Sequence, residues 1–242
     1  MNVLVVNDDG IFSEGIKALA DFLSKEHNVL VLAPDGNRSA FSHSLSIYKD
    51  IILKEEKISD NYKAFSLSGT PADCVKFALH EFKEYNFDLV CTGINKGHNL
   101  GSDTVYSGTI SAGLEGNFFG LKSIAFSNVA HSGCDFSQNV KTVSKIFEQL
   151  VKLTSTEYTL NVNLPNCEEK GVKIAPLGIQ LYTDNYQKVR EGVYQLVGEP
   201  TSYLSSDCCD VAYSRQGYVT VTPILYDKTD YKMIEKFKDF KF

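Results

Sequence analysis

Three things are scarce in this 242-residue chain: basic charge, long apolar runs, and cysteines at metal or disulfide spacings. Lysine and arginine total 24 against 30 aspartates and glutamates, a formal net charge of −6. That argues against a protein that coats nucleic acid through a basic face, because neutralising phosphates needs clustered cations. It leaves a small anionic ligand open, since local loops decide that. No apolar run approaches the roughly 18 residues of a membrane span. The first residues enter a strand-like run directly, with no basic segment followed by an apolar one, so no secretory signal is expected. The cysteines, at 74, 91, 134, 167, 208 and 209, form no C-x-x-C pair and outline neither a zinc site nor a disulfide framework. Cys91, inside an apolar run, reads as a small buried hydrophobe. Reduced thiols fit a cytoplasmic protein, which is the expectation. No low-complexity linker interrupts the chain. It is read as one unit over 1–242, with an α/β core over 1–155 and an arm and tail over about 180–242.

What is present is a repeated alternation of buried strands and amphipathic helices. Residues 3–6 (VLVV) are purely apolar, as a strand covered on both faces must be. Ser13 then reads as a helix N-cap, with Ile16, Leu19, Ala20 and Leu23 at helical spacing. Residues 28–33 (NVLVLA) form a second such strand, stopped by Pro34-Asp35-Gly36. This is a β-α-β unit, whose strands run parallel. A polar loop covers 35–46, and 47–67 read as extended or irregular. At 68–73, SGTPAD places Thr70 as N-cap, Pro71 at the first helical position and Asp73 at the third, predicting a helix over 71–83. Residues 87–94 (FDLVCTGI) are a third buried strand, followed by a glycine-rich loop from Asn95 to Gly101. Ser107-Gly108-Thr109 repeats the earlier S-G-T and predicts a helix over 109–119. A strand at 124–126 and a helix over 137–153 follow. Beyond about residue 155 short strands take over, at 158–164, 171–177, 186–197 and 218–224, with a hairpin or arm around 180–215 and a short charged helix within 228–242. The fold class is therefore α/β: a Rossmann-like, mostly parallel sheet with flanking helices and a β-rich C-terminal extension.

In an open parallel sheet, ligands bind at the carboxyl ends of the strands. Asp8-Asp9 lies at the end of the first strand, the 35–46 loop follows the second, and Asn95 ends the third. A turn needs one aspartate at most, so the second carboxylate asks for a cation. The oxygens at hand are those of Asp8, Asp9, Ser39, Ser42, Ser44 and Asn95, hard donors suited to Mg²⁺, Mn²⁺ or Ca²⁺. His43 and His98 keep zinc open. Two carboxylates cancel one divalent ion, so the site still accepts an anion. Lys96, the glycine-loop amides and the helix start at 107–109 suit a phosphate. The chemistry this suggests is hydrolysis of a phosphate ester by a metal-activated water. A plain turn and two good helix starts account for the same residues, and spacing alone leaves both readings open.

Four blocks in fixed order carry a resemblance: VLVVNDDGIFSEGIKAL, VLAPDGNRSAFSHSLS, SGTPADCVKFAL and DLVCTGINKGHNLGSDTVYSGTISAGLEG, with GYVTVTPI at 217–224. Together they resemble the SurE family (survival protein E). The resemblance implies a metal-dependent phosphatase acting on nucleoside 5′-monophosphates and also 3′-monophosphates. It implies one divalent ion per subunit, Mg²⁺ or Mn²⁺, on Asp8, Asp9, Ser39 and Asn95, with Ser107, Gly108 and Thr109 on the phosphate side. It further implies a homodimer or homotetramer in which a C-terminal arm is exchanged. Two positions depart from the family pattern. Ala40-Phe41 stand where the family commonly has a glycine after the serine, and Cys209-Asp210 replaces a usual Thr-Asp.

Other classes fit less well. A Mg²⁺-binding receiver-like signalling domain needs a phosphoacceptor aspartate where this chain has Asn95. A phosphatase forming an aspartyl phosphate uses D-x-D, not D-D. A dinucleotide binder needs a G-x-G-x-x-G that does not follow the first strand. Either carboxylate, Asp8 or Asp9, could serve as general base.

Overall fold

The computed structural model describes residues 1–198, 200–203 and 207–241. Its parallel strands are β1 (Asn2–Val6), β2 (Asn28–Pro34), β4 (Lys63–Leu67), β5 (Leu89–Lys96), β6 (Lys122–Asn128) and β7 (Tyr158–Leu164). With β3 (Leu53–Glu56), β8 (Val172–Ile174) and β13 (Val219–Leu225) they form one nine-stranded sheet in the order β3-β4-β2-β1-β5-β6-β7-β13-β8. The six from β4 to β7 run parallel, β3 pairs antiparallel with β4, and β13 returns antiparallel along β7. The purely apolar runs are buried on both faces. Val3, Val5, Val29, Val31 and Ala33 enter one core, while Leu4, Val6, Leu30 and Leu32 enter the other. Each fully buried Val or Leu contributes about 1.5–3 kcal/mol relative to an exposed one.

Helices α1 (Glu14–Leu23) and α4 (Phe136–Leu153) cover the first face. Helices α2 (Pro71–Glu81) and α3 (Gly108–Phe118) cover the second. Strand order reverses at β1, with β2 on one side and β5 on the other, so the crevice at their carboxyl ends is the topological switch point.

The helix starts differ in instructive ways. Thr70 caps α2 through a full capping box with Asp73. In the second S-G-T it is Ser107 that caps, accepting from the Ile110 amide at 3.1 Å, so α3 begins at Gly108 and Thr109 lies inside its first turn. Ser13 precedes α1 without a side-chain cap bond, because its hydroxyl accepts from Asn7 instead. Helix α2 ends at Glu81, short of 83, and a 3₁₀ turn over Gly101–Tyr106 follows the glycine-rich loop.

The arm contains strands β9 (Gln180–Tyr182), β10 (Asn185–Arg190), β11 (Val193–Val197) and β12 (Pro200–Tyr203). β10 and β11 form the hairpin, and β9 pairs with β12. The stretch anticipated as one strand at 186–197 is thus two. The anticipated 180–215 arm is not β throughout: Asp210–Arg215 form helix α5, and Glu199 and 204–206 lie outside the described residues. Helix α6 (Tyr231–Phe237) falls within the charged tail.

Candidate active site

The turn after β1 settles what its residues do. Asn7, fully buried, closes it: its Oδ1 accepts the Gly10 N–H at 3.2 Å, and its Nδ2 donates to Gly10 O at 3.0 Å and Ser13 Oγ at 2.7 Å. Asp8 and Asp9 are therefore neither turn formers nor helix caps. Asp8 is 4 % exposed, and its Oδ1 accepts the Thr109 hydroxyl at 2.6 Å. Gly108 lies so close that a Cβ there would come within 2.9 Å of Asp8 Cβ. Asp9 is half-buried, and its Oδ2 accepts the Lys96 amide at 2.9 Å. Burial raises the Asp8 carboxyl to about 6; the Thr109 hydroxyl opposes the rise and the neighbouring Asp9 charge adds to it. Burial raises Asp9 as well, against the Lys96 amide and ammonium. A buried carboxylate and a half-buried neighbour of like charge resist joint ionisation until a cation offsets them.

Asn95 reaches the same place through an irregularity. The β5–β6 register runs Thr92↔Ala125 and then Asn95↔Ser127, with one extra residue on β5. Before this bulge, Leu89 and Cys91 face α1 and α4; after it, Ile94 does. Asn95 is thereby turned to the α3 face. Its Nδ2 donates to Gly97 O at 2.9 Å, which fixes the amide and leaves Oδ1 for a ligand.

Ser39 comes from the loop after β2. The loop is tied down by the Arg38 amide donating to Asp8 O at 2.7 Å and the Ser42 amide donating to Tyr106 O at 3.1 Å. The first S-G-T does not reach the cleft. It straps this loop: the Thr70 hydroxyl donates to Ser44 O at 2.7 Å, and the Asp73 carboxylate accepts the Ser46 amide. Ala40 (φ 61°) and Ser42 (φ 51°) both occupy the left-handed region. A side chain held there, as at Ala40, costs on the order of 1–2 kcal/mol.

These segments border a cleft of about 920 Å³. Asp8, Ser39, Asn95, Lys96 and Ser107 line it, while Asp9, Gly108 and Thr109 are not part of the lining. The fully buried Thr109 hydroxyl is spent on Asp8, so its side chain orients a carboxylate rather than facing the cleft. Among the described residues no group of three His, Cys, Asp or Glu side chains is placed to hold a metal ion. Asp8, Ser39 and Asn95 bring a carboxylate, a hydroxyl and an amide oxygen to the cleft lining, with Asp9 next to Asp8 just outside it, and oxygen donors of this kind suit a hard divalent ion. His43 and His98 are engaged by other carboxylates, Glu115 and Asp103.

Sequence reasoning missed the far wall. His98 Nε2 lies 3.1 Å from Asp103 Oδ2, which also accepts the Tyr182 hydroxyl. The His131 ring stands edge-on to His98 at 4.7 Å. Asp103, His131 and Tyr182 all line the cleft, as do Leu181, Asp184 and Leu196 from the arm. His98 sits in a loop the sequence marks out; Tyr182 is 79 residues from Asp103, and no local pattern joins them.

A doubly wound sheet whose switch-point cleft is lined by carboxylate, hydroxyl and amide oxygens places the chain among the α/β proteins that bind small ligands at the strand ends. The family described as "Survival protein SurE" matches residues 3–184. A relative named 5′-nucleotidase SurE from Clostridium botulinum (strain 657 / Type Ba4) is 41 % identical over 248 aligned positions, covering 98 % of this chain and 97 % of the relative. Another of that name from Petrotoga mobilis is 39 % identical, with 99 % of each chain covered. The crystal structure of the SurE protein from Aquifex aeolicus superposes with a TM-score of 0.84 at 34 % identity, covering 98 % of both chains. The chain belongs to the SurE family.

Proposed function

We propose that this protein is a 5′-nucleotidase: a phosphomonoesterase that requires a divalent cation and hydrolyses nucleoside 5′-monophosphates, and 3′-monophosphates as well. The observation that carries this reading is the Asp8-Asp9 pair. Asn7 relieves both residues of turn duty; Asp8 meets the start of α3 at Thr109, and Asp9 meets the amide that follows Asn95. The names of the relatives support the nucleotide substrate.

Asp8, Asp9, Ser39 and Asn95 are the residues that would hold the ion, Mg²⁺ or Mn²⁺. When bound, it supplies charge neutralisation at the phosphate and a water of lowered pKa. The chain's own contribution is positional. Thr109 and the Lys96 amide fix the two carboxylates, and the Asn95 amide is set by Gly97 O. The amino end of α3, at Ser107 to Thr109, offers N–H groups and a positive dipole end to phosphate oxygens, and Lys96 adds a full charge. The arm residues on the far wall face the nucleoside. Copies of the chain associate through that arm as a homodimer or homotetramer, which accounts for exposed Tyr186, Val189, Tyr194 and Leu196 on the hairpin. The protein works in the cytoplasm.

Chelator-treated protein should lose turnover of nucleoside monophosphates and regain it with Mg²⁺ or Mn²⁺. Asp9→Asn should lower kcat by at least about 100-fold and weaken the cation, since one of two charged ligands is gone. Near-full turnover by the purified variant would remove Asp9 from the site.

A further inference from the structure

Ser39 is the exposed member of the proposed ligand set, on a loop that holds two non-glycine residues in a disfavoured conformation. Backbone bonds and the Thr70 strap hold that loop, and one further side-chain contact on it is remote from the cleft lining. His43 Nε2 lies 2.6 Å from Glu115 Oε2, across 72 residues of sequence. Glu115 is 5 % exposed and takes a second contact from Lys76 Nζ at 3.1 Å. Burial pushes its carboxyl up, but the bonds from His43 and Lys76 outweigh this and hold it below the usual range. An ionised carboxylate only accepts, so Nε2 of His43 carries the hydrogen and donates. The imidazole also rests against the Phe118 ring, with centroids 5.8 Å apart.

Glu115 sits on α3, about two turns beyond Thr109, which braces Asp8. One rigid helix thus holds one ligand residue directly and the loop of another through a histidine. We infer that His43 and Glu115 are positioning residues of the proposed cation site: their charge-assisted hydrogen bond clamps the 38–46 loop to α3 and sets Ser39 against Asp8. This rests on the reading of Ser39 as a ligand. Neither residue lines the cleft, so neither touches substrate.

The test uses His43→Ala, His43→Gln and Glu115→Gln in the full chain, read by Mn²⁺ titration and by amide hydrogen exchange of chelator-treated protein. His43→Ala should weaken Mn²⁺ by at least about tenfold, the scale seen when a group behind a metal ligand is lost. It should also speed exchange of the Ser42 amide, whose bond to Tyr106 O belongs to the same loop. His43→Gln, whose amide can donate in place of Nε2, should restore both within about threefold, and Glu115→Gln should fall between. Exchange that stays unchanged in His43→Ala overturns the clamp. Faster exchange with unchanged Mn²⁺ affinity overturns the link to Ser39. If the parent protein binds neither Mn²⁺ nor Mg²⁺, the cation-dependent reading falls, and the clamp stands or falls on the exchange arm.

Discussion

Asp8 carries a cost that depends on its proton. In the cation-free fold its carboxyl titrates near 6, raised by burial, whereas an unfolded carboxylate titrates near ~3.9. Between those values the folded chain holds more protons than the unfolded one, so stability falls as pH rises from about 4 to about 6 and then levels off. The full penalty above that window is about 3 kcal/mol. Asp8→Asn keeps the shape and an oxygen for the Thr109 hydroxyl without the charge. Chelator-treated Asp8→Asn should therefore resist urea better than the parent at pH 8, by up to about 3 kcal/mol, and equally at pH 4. A variant no more stable at pH 8 would show that Asp8 is not strained by its surroundings. The same shift means that cation capture below about pH 6 must displace a proton, so affinity should weaken as pH drops through that range.

At the level of elements, the close approach of α1 to β5 decides the site's shape. A Cβ on Gly15 would lie 1.9 Å from the Ile94 carbonyl oxygen and 3.1 Å from Phe136 Cε1. Glycine to alanine within a helix ordinarily stabilises by roughly 0.5–1 kcal/mol. Here Gly15→Ala should instead destabilise by more than about 2 kcal/mol, because backbone rather than a flexible side chain must yield. It should also weaken the cation, since Ile94 adjoins Asn95. Urea unfolding and metal titration check both; a variant as stable as the parent would refute the contact. The sequence shows Gly15 only as one residue of a helix. What it does show is whatever is written locally: apolar runs give β1, β2 and β5, and the Thr70-Pro71-Asp73 spacing gives the start of α2. The arm is legible only as a β-rich stretch, and 186–197 reads as one strand where β10 and β11 stand. β10 is exposed at every residue and so has no buried face to alternate with. Chain direction anticipates Asp8, Ser39, Asn95 and Lys96 along one cleft, with Asp9 held beside it by the Lys96 amide. It does not anticipate the Asp103–Tyr182 wall or the His43–Glu115 contact, because each joins segments more than 70 residues apart.

At the scale of the whole molecule, Asp210 ties distant regions together. It is fully buried, and its carboxylate accepts from the amides of Gly101 at 2.8 Å, Gly178 at 2.7 Å and Val211 at 2.8 Å. One side chain thus joins the turn beside the cleft, the root of the arm and α5. Burial raises its carboxyl while those amides hold it down. Asp210→Ala would strand three amides and should cost about 3–5 kcal/mol, measurable as a lower urea midpoint. An unchanged midpoint would show that the arm is not anchored there. The β5 bulge sets a different kind of limit. Losing a single residue between Thr92 and Asn95 would mend the ladder and give a straighter, better-bonded strand, yet the asparagine would then face the wrong side of the sheet. Length at this spot is as constrained as residue identity: the chain keeps a flaw in its most central pairing because the flaw is what aims the side chain.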